Sequence, residues 1–348
     1  MRVLFVCKAS TEIGLGHLIR SRSLAAGLNR LGALVIDFVL IGDPSLISLV
    51  NGYVQNKITL DHEKDLTLKN TYDIAFVDML EMNAETLGHI RQRATRIACL
   101  SPIFNRMDQV DILFSRTRYQ PVAEPGPGQL YAGPDYAIIQ SDCGKIGAGE
   151  YEKTLESGTF PIAICMGGGD APNKTLKILR TLKNCAVDAT FWVMLGEGYR
   201  HSYDELIAEI KINKRHEIIL ARTNKSMWQV LRNCAVGIFS GGVTSYEAAF
   251  AGLPAINLID QTEKYFLIRE LVENDACWCL GQSFEESLNS LNEHLEGIHN
   301  NHNALMKMHI DSKQLISGNA SEKIFAACSD SIGPNVDMWE RRVIQECA

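Results

Sequence analysis

Short apolar runs rich in β-branched residues alternate with amphipathic stretches along almost the whole chain. The runs VLFVC (3–7), ALVIDFVL (33–40), IAFVDML (74–80), RIACL (96–100) and DILFS (111–115) read as strands that are apolar on both faces. Between the first two, residues 17–31 carry a helical apolar period that Gly32 stops. A second series follows with PIAICMG (161–167), ATFWVMLG (189–196), HEIIL (216–220), AVGIFSG (235–241), PAINLI (254–259) and ACWCLG (276–281). Strands without a polar face need cover on both sides, and intervening helices supply it. The pattern therefore predicts parallel sheets in a doubly wound α/β architecture.

The strand period lapses over residues 143–160, a stretch rich in Gly, Glu and Lys. Each half then opens in the same way, with an apolar strand, a glycine-rich loop and a helix. The expected division is a first Rossmann-like domain over 1–150 and a second over 151–330, with a tail over 331–348 to which the sequence gives no role. Two such domains facing one another make a central cleft at the carboxyl ends of both sheets, where ligands of such sheets bind.

Composition narrows the classes of function. With Lys+Arg 34 against Asp+Glu 41 the net charge is −7, and no basic run reaches five residues. Phosphate contacts need clustered cations, so no nucleic-acid partner is expected. No apolar run approaches the roughly 20 residues of a transmembrane helix. The ten cysteines sit mostly in apolar strand-like runs and form no C-x-x-C pair. With no leader preceding the first strand, they read as reduced thiols of a cytoplasmic protein.

Three segments carry candidate chemistry. In Gly14-Leu15-Gly16-His17, with Arg20 a turn later, the glycines allow a tight turn and close backbone approach to a ligand. His17 then starts a helix facing the cleft, as a side chain suited to general-base work near neutral pH. Two other readings stand beside this one. Gly14-x-Gly16 with Asp37 about 20 residues on resembles a dinucleotide fingerprint, though Ile19 replaces its third glycine. His17 as a mere helix cap is the other. Gly167-Gly168-Gly169-Asp170 comes next, where consecutive glycines before a helix expose amides to phosphate, or simply form a loop. In the third segment, Ser240-Gly241-Gly242-Val243-Thr244 delivers glycines and hydroxyls to a helix start, and Glu247 follows one turn inside it. Glu247 fits a carboxylate that accepts from a ribose diol; Thr244-x-x-Glu247 also fits a capping box.

Together GLGHLIRSRSLA, GPDYAIIQ, MGGGDAPNKT and SGGVTSYEAAFAGLPAI resemble the UDP-2,4-diacetamido-2,4,6-trideoxy-β-L-altropyranose hydrolases of pseudaminic acid biosynthesis. These are related to the spore-coat polysaccharide protein SpsG and similar to MurG-type glycosyltransferases. The resemblance covers about residues 1–328 and implies a GT-B-like fold. It makes His17 the base that activates water and puts Gly14, Gly16 and Arg20 at the substrate. It gives Glu247 the ribose hydroxyls, lines the diphosphate with Ser240, Gly241, Gly242 and Thr244, and closes the cleft with Gly168 and Asp170. Neither cofactor nor metal is implied, since backbone amides and a helix dipole can take the charge of a leaving diphosphate. Two positions depart from the family. Leu80 stands where a tyrosine is usual, and Glu263 with Lys264 where an Asn-Gln pair is usual. Leu80 and Glu263 are thus expected at the sugar end of the cleft, altering which sugar is taken.

The function expected is hydrolysis of a UDP-sugar of the diacetamido-trideoxyhexose type to free sugar and UDP, in the making of a surface sugar. A GT-B glycosyltransferase with the same donor is the alternative. A nucleotide-sugar-binding protein without chemistry is the third reading. The oligomeric state is not legible.

Overall fold

The computed structural model of the protein describes residues 1–10, 13–32, 34–121, 126–222 and 227–329. The first half builds a sheet from β1 (Arg2–Ala9), β2 (Val35–Gly42), β3 (Asn56–Leu60), β4 (Tyr72–Asp78), β5 (Ala94–Cys99), β6 (Ile112–Ser115) and β7 (Gln129–Ala132). All neighbours run parallel, in the order β3-β2-β1-β4-β5-β6-β7. Helices α1 (Gly16–Arg30) and α2 (Ala84–Arg93) belong to this half. Phe5 on the central strand stacks between Phe38 and Phe76, with ring centroids 5.7 and 5.1 Å away. Such aromatic layers fix the register of adjacent strands.

After α3 (Ala148–Leu155) the second sheet is built from β8 (Phe160–Cys165), β9 (Ala189–Leu195), β10 (Glu217–Arg222), β11 (Val236–Phe239), β12 (Ala255–Asn257) and β13 (Trp278–Cys279). It is also all parallel, in the order β10-β9-β8-β11-β12-β13. The helices here are α4 (Lys174–Leu182), α5 (Tyr203–Ile212), α6 (Trp228–Leu231), α7 (Val243–Ala251), α8 (Phe266–Glu273), α9 (Phe284–His299) and α10 (His302–Leu315). In both sheets the order reverses beside the first strand of the half, the switch point where doubly wound sheets open a crevice.

The linear division into 1–150 and 151–330 departs from the packing at both ends. Ala137, Cys143 and Ile146 already pack into the second core, and the Ile146 amide donates to Ala251 O at 2.8 Å. The last described helix, α11 (Ala320–Ser329), packs with the first core through Ala320, Ile324, Ala327 and Cys328. Those positions form an apolar stripe at helical spacing, and Gly27 on α1 leaves room for Ser321 where any Cβ would collide. Lys323 pairs with Asp135 at 2.8 Å, fastening the returning helix. The tail over 331–348 lies outside the described residues. Among the described residues no helix is long and apolar enough to cross a membrane. The described cysteines are free and, Cys279 excepted, buried.

Candidate active site in the interdomain cleft

The carboxyl ends of both sheets face a cavity of about 500 Å³. The first half contributes Gly14, Gly16, Ile19 and Arg22. The second contributes Gly167–Asp170, Gly196, Ser240–Thr244, Glu247, Asp260 and Lys264.

On the first side, β1 ends in a turn in which Gly14 adopts φ +96° and donates its amide to Ser10 O at 2.8 Å. A left-handed residue here suits glycine alone. Helix α1 begins at Gly16 without a side-chain cap. The His17 ring turns to the end of β4, with Nδ1 2.7 Å from Asp78 Oδ1. Arg20 Nε donates to Asp78 Oδ2 at 2.8 Å, and its Nη2 reaches Asp78 Oδ1 and Ser101 Oγ. Ser21 Oγ completes the set at 3.4 Å from Asp78 Oδ2. Burial alone would raise the Asp78 carboxyl, but the Arg20 guanidinium and then His17 hold it far below the usual carboxylate range. Nδ1 of His17 also lies 3.1 Å from Arg20 Nη2, a donor, so Asp78 and Arg20 compete for it; with its proton donated to the ionised Asp78, Nε2 keeps its lone pair. His17 is held against Asp78, and α1 has no side-chain cap. Its side chain is 15% exposed and does not line the cavity.

The dinucleotide reading fails on position. Asp37 lies near the start of β2, away from the cleft, and is taken up by Arg2, Asn56 and Tyr72.

On the second side the two glycine-led helix starts behave differently. Asp170, at φ +45°, accepts the amides of Lys174 and Thr175 at 2.8 and 2.9 Å. It closes the start of α4, so these amides are not free for phosphate. Burial raises the Asp170 carboxyl. Gly168 serves close approach. Its carbonyl accepts from the Gly198 amide at 2.9 Å, while the Leu15 side chain of the first half packs so near that an added Cβ would lie 2.8 Å from it. By contrast, α7 starts after Gly242 with no side-chain cap, and Gly241 before it holds φ +77°. The first amides of α7 thus face the cavity unpaired by any cap, a ready anion site.

The capping box does not form. Thr244 is already inside α7, and Glu247 sends its carboxylate elsewhere. Its Oε1 accepts from Gln140 Nε2 at 2.9 Å and from the Gln140 amide at 3.3 Å, and Oε2 from Trp228 Nε1 at 3.2 Å. Burial raises this carboxyl. Arg22 of α1 donates to Gln140 Oε1, so the Gln140 side-chain amide bridges the two halves.

Two expected positions lie off the cavity. Leu80 is 47% exposed, and its carbonyl accepts from the Phe104 amide at 2.8 Å. Met79 is the buried one of the pair, because the chain leaves β4 at Asp78 and turns Leu80 outward. Glu263 points to solvent from the 3₁₀ turn Thr262–Lys264, which presents Lys264 to the cavity instead.

The sequence reading missed a cation pair here. Lys174 ion-pairs with Asp260 Oδ1, and Lys264 Nζ stands 3.3 Å from Asp260 Oδ2. Burial would raise Asp260, but Lys174 and then Lys264 lower it. Lys174 also interacts with Asp170, so the two lysines face two carboxyl groups in this wall. Lys174 and Lys264 lie far apart in the chain and share no local signature. Asp78 was equally silent as one acid ending an apolar run. Among the described residues no group of three or more His, Cys, Asp or Glu side chains gathers as a metal set would.

No family model matches the chain. It is 25% identical over 269 residues to an uncharacterized protein of Methanocaldococcus jannaschii, a match covering 74% of this chain and 55% of that protein. The chain thus spans about half the length of that relative. It is 21% identical over 345 residues to the spore coat polysaccharide biosynthesis protein SpsG of Bacillus subtilis, covering 95% of this chain and 98% of SpsG. Among solved structures, MurG of Acinetobacter baumannii superposes with TM-score 0.66 at 12% identity, over 95% of this chain and 100% of MurG. MnaA of S. aureus, solved with UDP, gives TM-score 0.65 at 13% identity, over 95% and 96%. The two parallel-sheet, Rossmann-like domains make this chain GT-B-like in fold.

Proposed function

We propose that the protein is a UDP-sugar hydrolase that cleaves the glycosyl–diphosphate bond with water. The observation that carries this reading is the pairing, across one cleft, of an uncapped α7 N-terminus with the Asp78-oriented His17. The diphosphate lies on the amides after Gly242, where the helix dipole favours negative charge. Glu247 holds the ribose diol in place of the Gln140 amide. His17 Nε2 takes a proton from water as it attacks the anomeric carbon, and Asp78 stabilises the resulting imidazolium. Departure of the diphosphate demands electrostatic support, which the α7 amides supply without reorganisation. The likeness to SpsG along nearly its whole length supports a role in making a surface polysaccharide.

The test is to incubate the protein with UDP-sugars and follow them by phosphorus NMR. UDP released without any acceptor, with a fall of about 10²–10⁴-fold in His17→Gln, is the expected result. Release only after an acceptor hydroxyl is added would make the protein a glycosyltransferase. Binding of UDP with no turnover under either condition would leave a binding protein.

A further inference from the structure

Glu247 borders the cleft cavity, yet it is wholly buried. Its Oε1 already has occupants, the Gln140 side-chain amide at 2.9 Å and the Gln140 backbone amide at 3.3 Å, and Trp228 takes Oε2. Three N–H groups thus face its two oxygens, so Glu247 acts here as an acceptor. Gln140 is half-buried and lines the cavity itself. It lies where the chain passes between the cores, with Ile138 packed into the first and Cys143 into the second.

The far end of that side chain is held from the other half. Arg22 lies on α1, faces the same cavity, and its Nη2 donates to Gln140 Oε1. A guanidinium only donates and Glu247 accepts, so the Gln140 amide fits between them in one orientation, with its oxygen to Arg22 and its NH₂ to Glu247. Hydrogen bonds to charged groups are stronger than those between neutral ones, so the amide is fixed at both ends. The Gln140 backbone amide cannot leave Oε1 unless the chain moves, whereas the side-chain amide turns about its own bonds. A diol arriving at Oε1 therefore replaces Nε2. That exchange keeps the buried carboxylate satisfied. Its cost falls at the other end: one planar amide carries both contacts, so turning the NH₂ off Glu247 also takes the oxygen from Arg22.

We propose that Gln140 is a built-in occupant of the ribose seat, pinned there by Arg22, and that a nucleotide reaches Glu247 by breaking this bridge between the two halves. The inference rests on the reading of Glu247 as the ribose acceptor and adds a positioning residue, Arg22, that acts through Gln140. The free protein is held in a closed-seat form, and every nucleotide pays for leaving it with part of its affinity.

Calorimetric titration with UDP, and competition of uridine against it, test the bridge. Uridine has the ribose and no phosphate, so it reports the seat apart from any effect of a lost charge. Arg22→Met keeps the apolar stem and removes the donor. It should tighten uridine about three- to tenfold, the scale of one net hydrogen bond, because binding no longer breaks one. Gln140→Ala should tighten uridine and UDP at least as much. The double variant should bind no tighter than Gln140→Ala alone, since Arg22 acts only through Gln140. Arg22→Leu serves as a second variant, and thermal midpoints show which variants are folded. An arginine that merely braced the fold or touched the ligand would weaken binding when removed. Uridine affinity that falls, or stays within about twofold, in folded Arg22 variants therefore overturns the proposal, and so does full additivity in the double variant. Uridine that never displaces UDP, in wild type or variants, would show that there is no ribose seat to open. If UDP itself does not bind, the nucleotide reading falls, and this inference with it.

Discussion

Replacing Asp78 by asparagine tests whether the His17 ring is poised or merely packed. The two residues have nearly the same shape, but the carboxylate accepts on both oxygens whereas the amide donates on one side. In the structure Oδ2 faces the Arg20 Nε–H and the Ser21 hydroxyl, while Oδ1 faces His17 Nδ1 and Arg20 Nη2. Either placement sets the NH₂ against an Arg20 donor; with the oxygen kept on Arg20 Nε–H and the Ser21 hydroxyl, it is Arg20 Nη2 that must turn away. The NH₂ then points at His17 Nδ1, which must become an acceptor. That moves the imidazole proton to Nε2 and removes the lone pair the reaction needs. The expected loss in kcat is about 10⁴-fold, the scale seen where such an aspartate sets the wrong tautomer. Stability falls as well. Asp78 is fully buried, and breaking a buried ion pair costs about 3–5 kcal/mol because the arginine is stranded. UDP affinity should hold, since the nucleotide contacts lie on the other half. Guanidinium unfolding, UDP calorimetry and single-turnover hydrolysis at low temperature measure the three separately. Because the folded-state carboxyl is depressed, its contribution is present above the unfolded value near 3.9 and fades as the pH falls below it. The variant should therefore lose less stability than wild type on acidification below about pH 4. A folded Asp78→Asn protein with kcat within threefold of wild type would refute the argument, whatever its stability.

Gly168→Ala should cost about 1–3 kcal/mol, since its Cβ would meet Leu15 across the cleft in a buried contact. Adding Leu15→Ala should recover part of that loss, which a double-mutant cycle of unfolding free energies will show. Glu247→Ala should weaken UDP binding by roughly 1.5–3 kcal/mol in titration calorimetry, the worth of a charged acceptor to the ribose diol; unchanged affinity would assign Glu247 to bracing Gln140 and Trp228 alone. Leu80→Tyr with Glu263→Asn restores the family residues at two positions that lie off the cavity, and it should leave the preference among UDP-sugars unchanged in competition assays.

The strands that are continuous apolar runs were legible, the edge strands β10 and β13 included, and the sheets contain all of them. β3 and β7 were not, for a physical reason. Both are edge strands of the first sheet with exposed positions, and NKITL and QLYA have little buried surface to enforce a pattern. Nothing in the apolar stripe of the returning helix α11 says which of two similar cores it will cover. That choice rests on Gly27, a helical glycine whose lack of a side chain matters only once another helix crosses it.

The same contrast runs through the site. The α7 start was readable because strand, glycines and helix are consecutive, so local backbone rules alone build an anion site. The rest of the cleft is made of pairs far apart in the chain. His17 meets Asp78, Arg22 meets Gln140, and Arg116 lies over Tyr246. No spacing rule links such residues, and family likeness pointed to Leu80 and Glu263, which the fold turns to solvent. The positions that set the sugar in this chain are therefore to be sought among the side chains the two halves bring together.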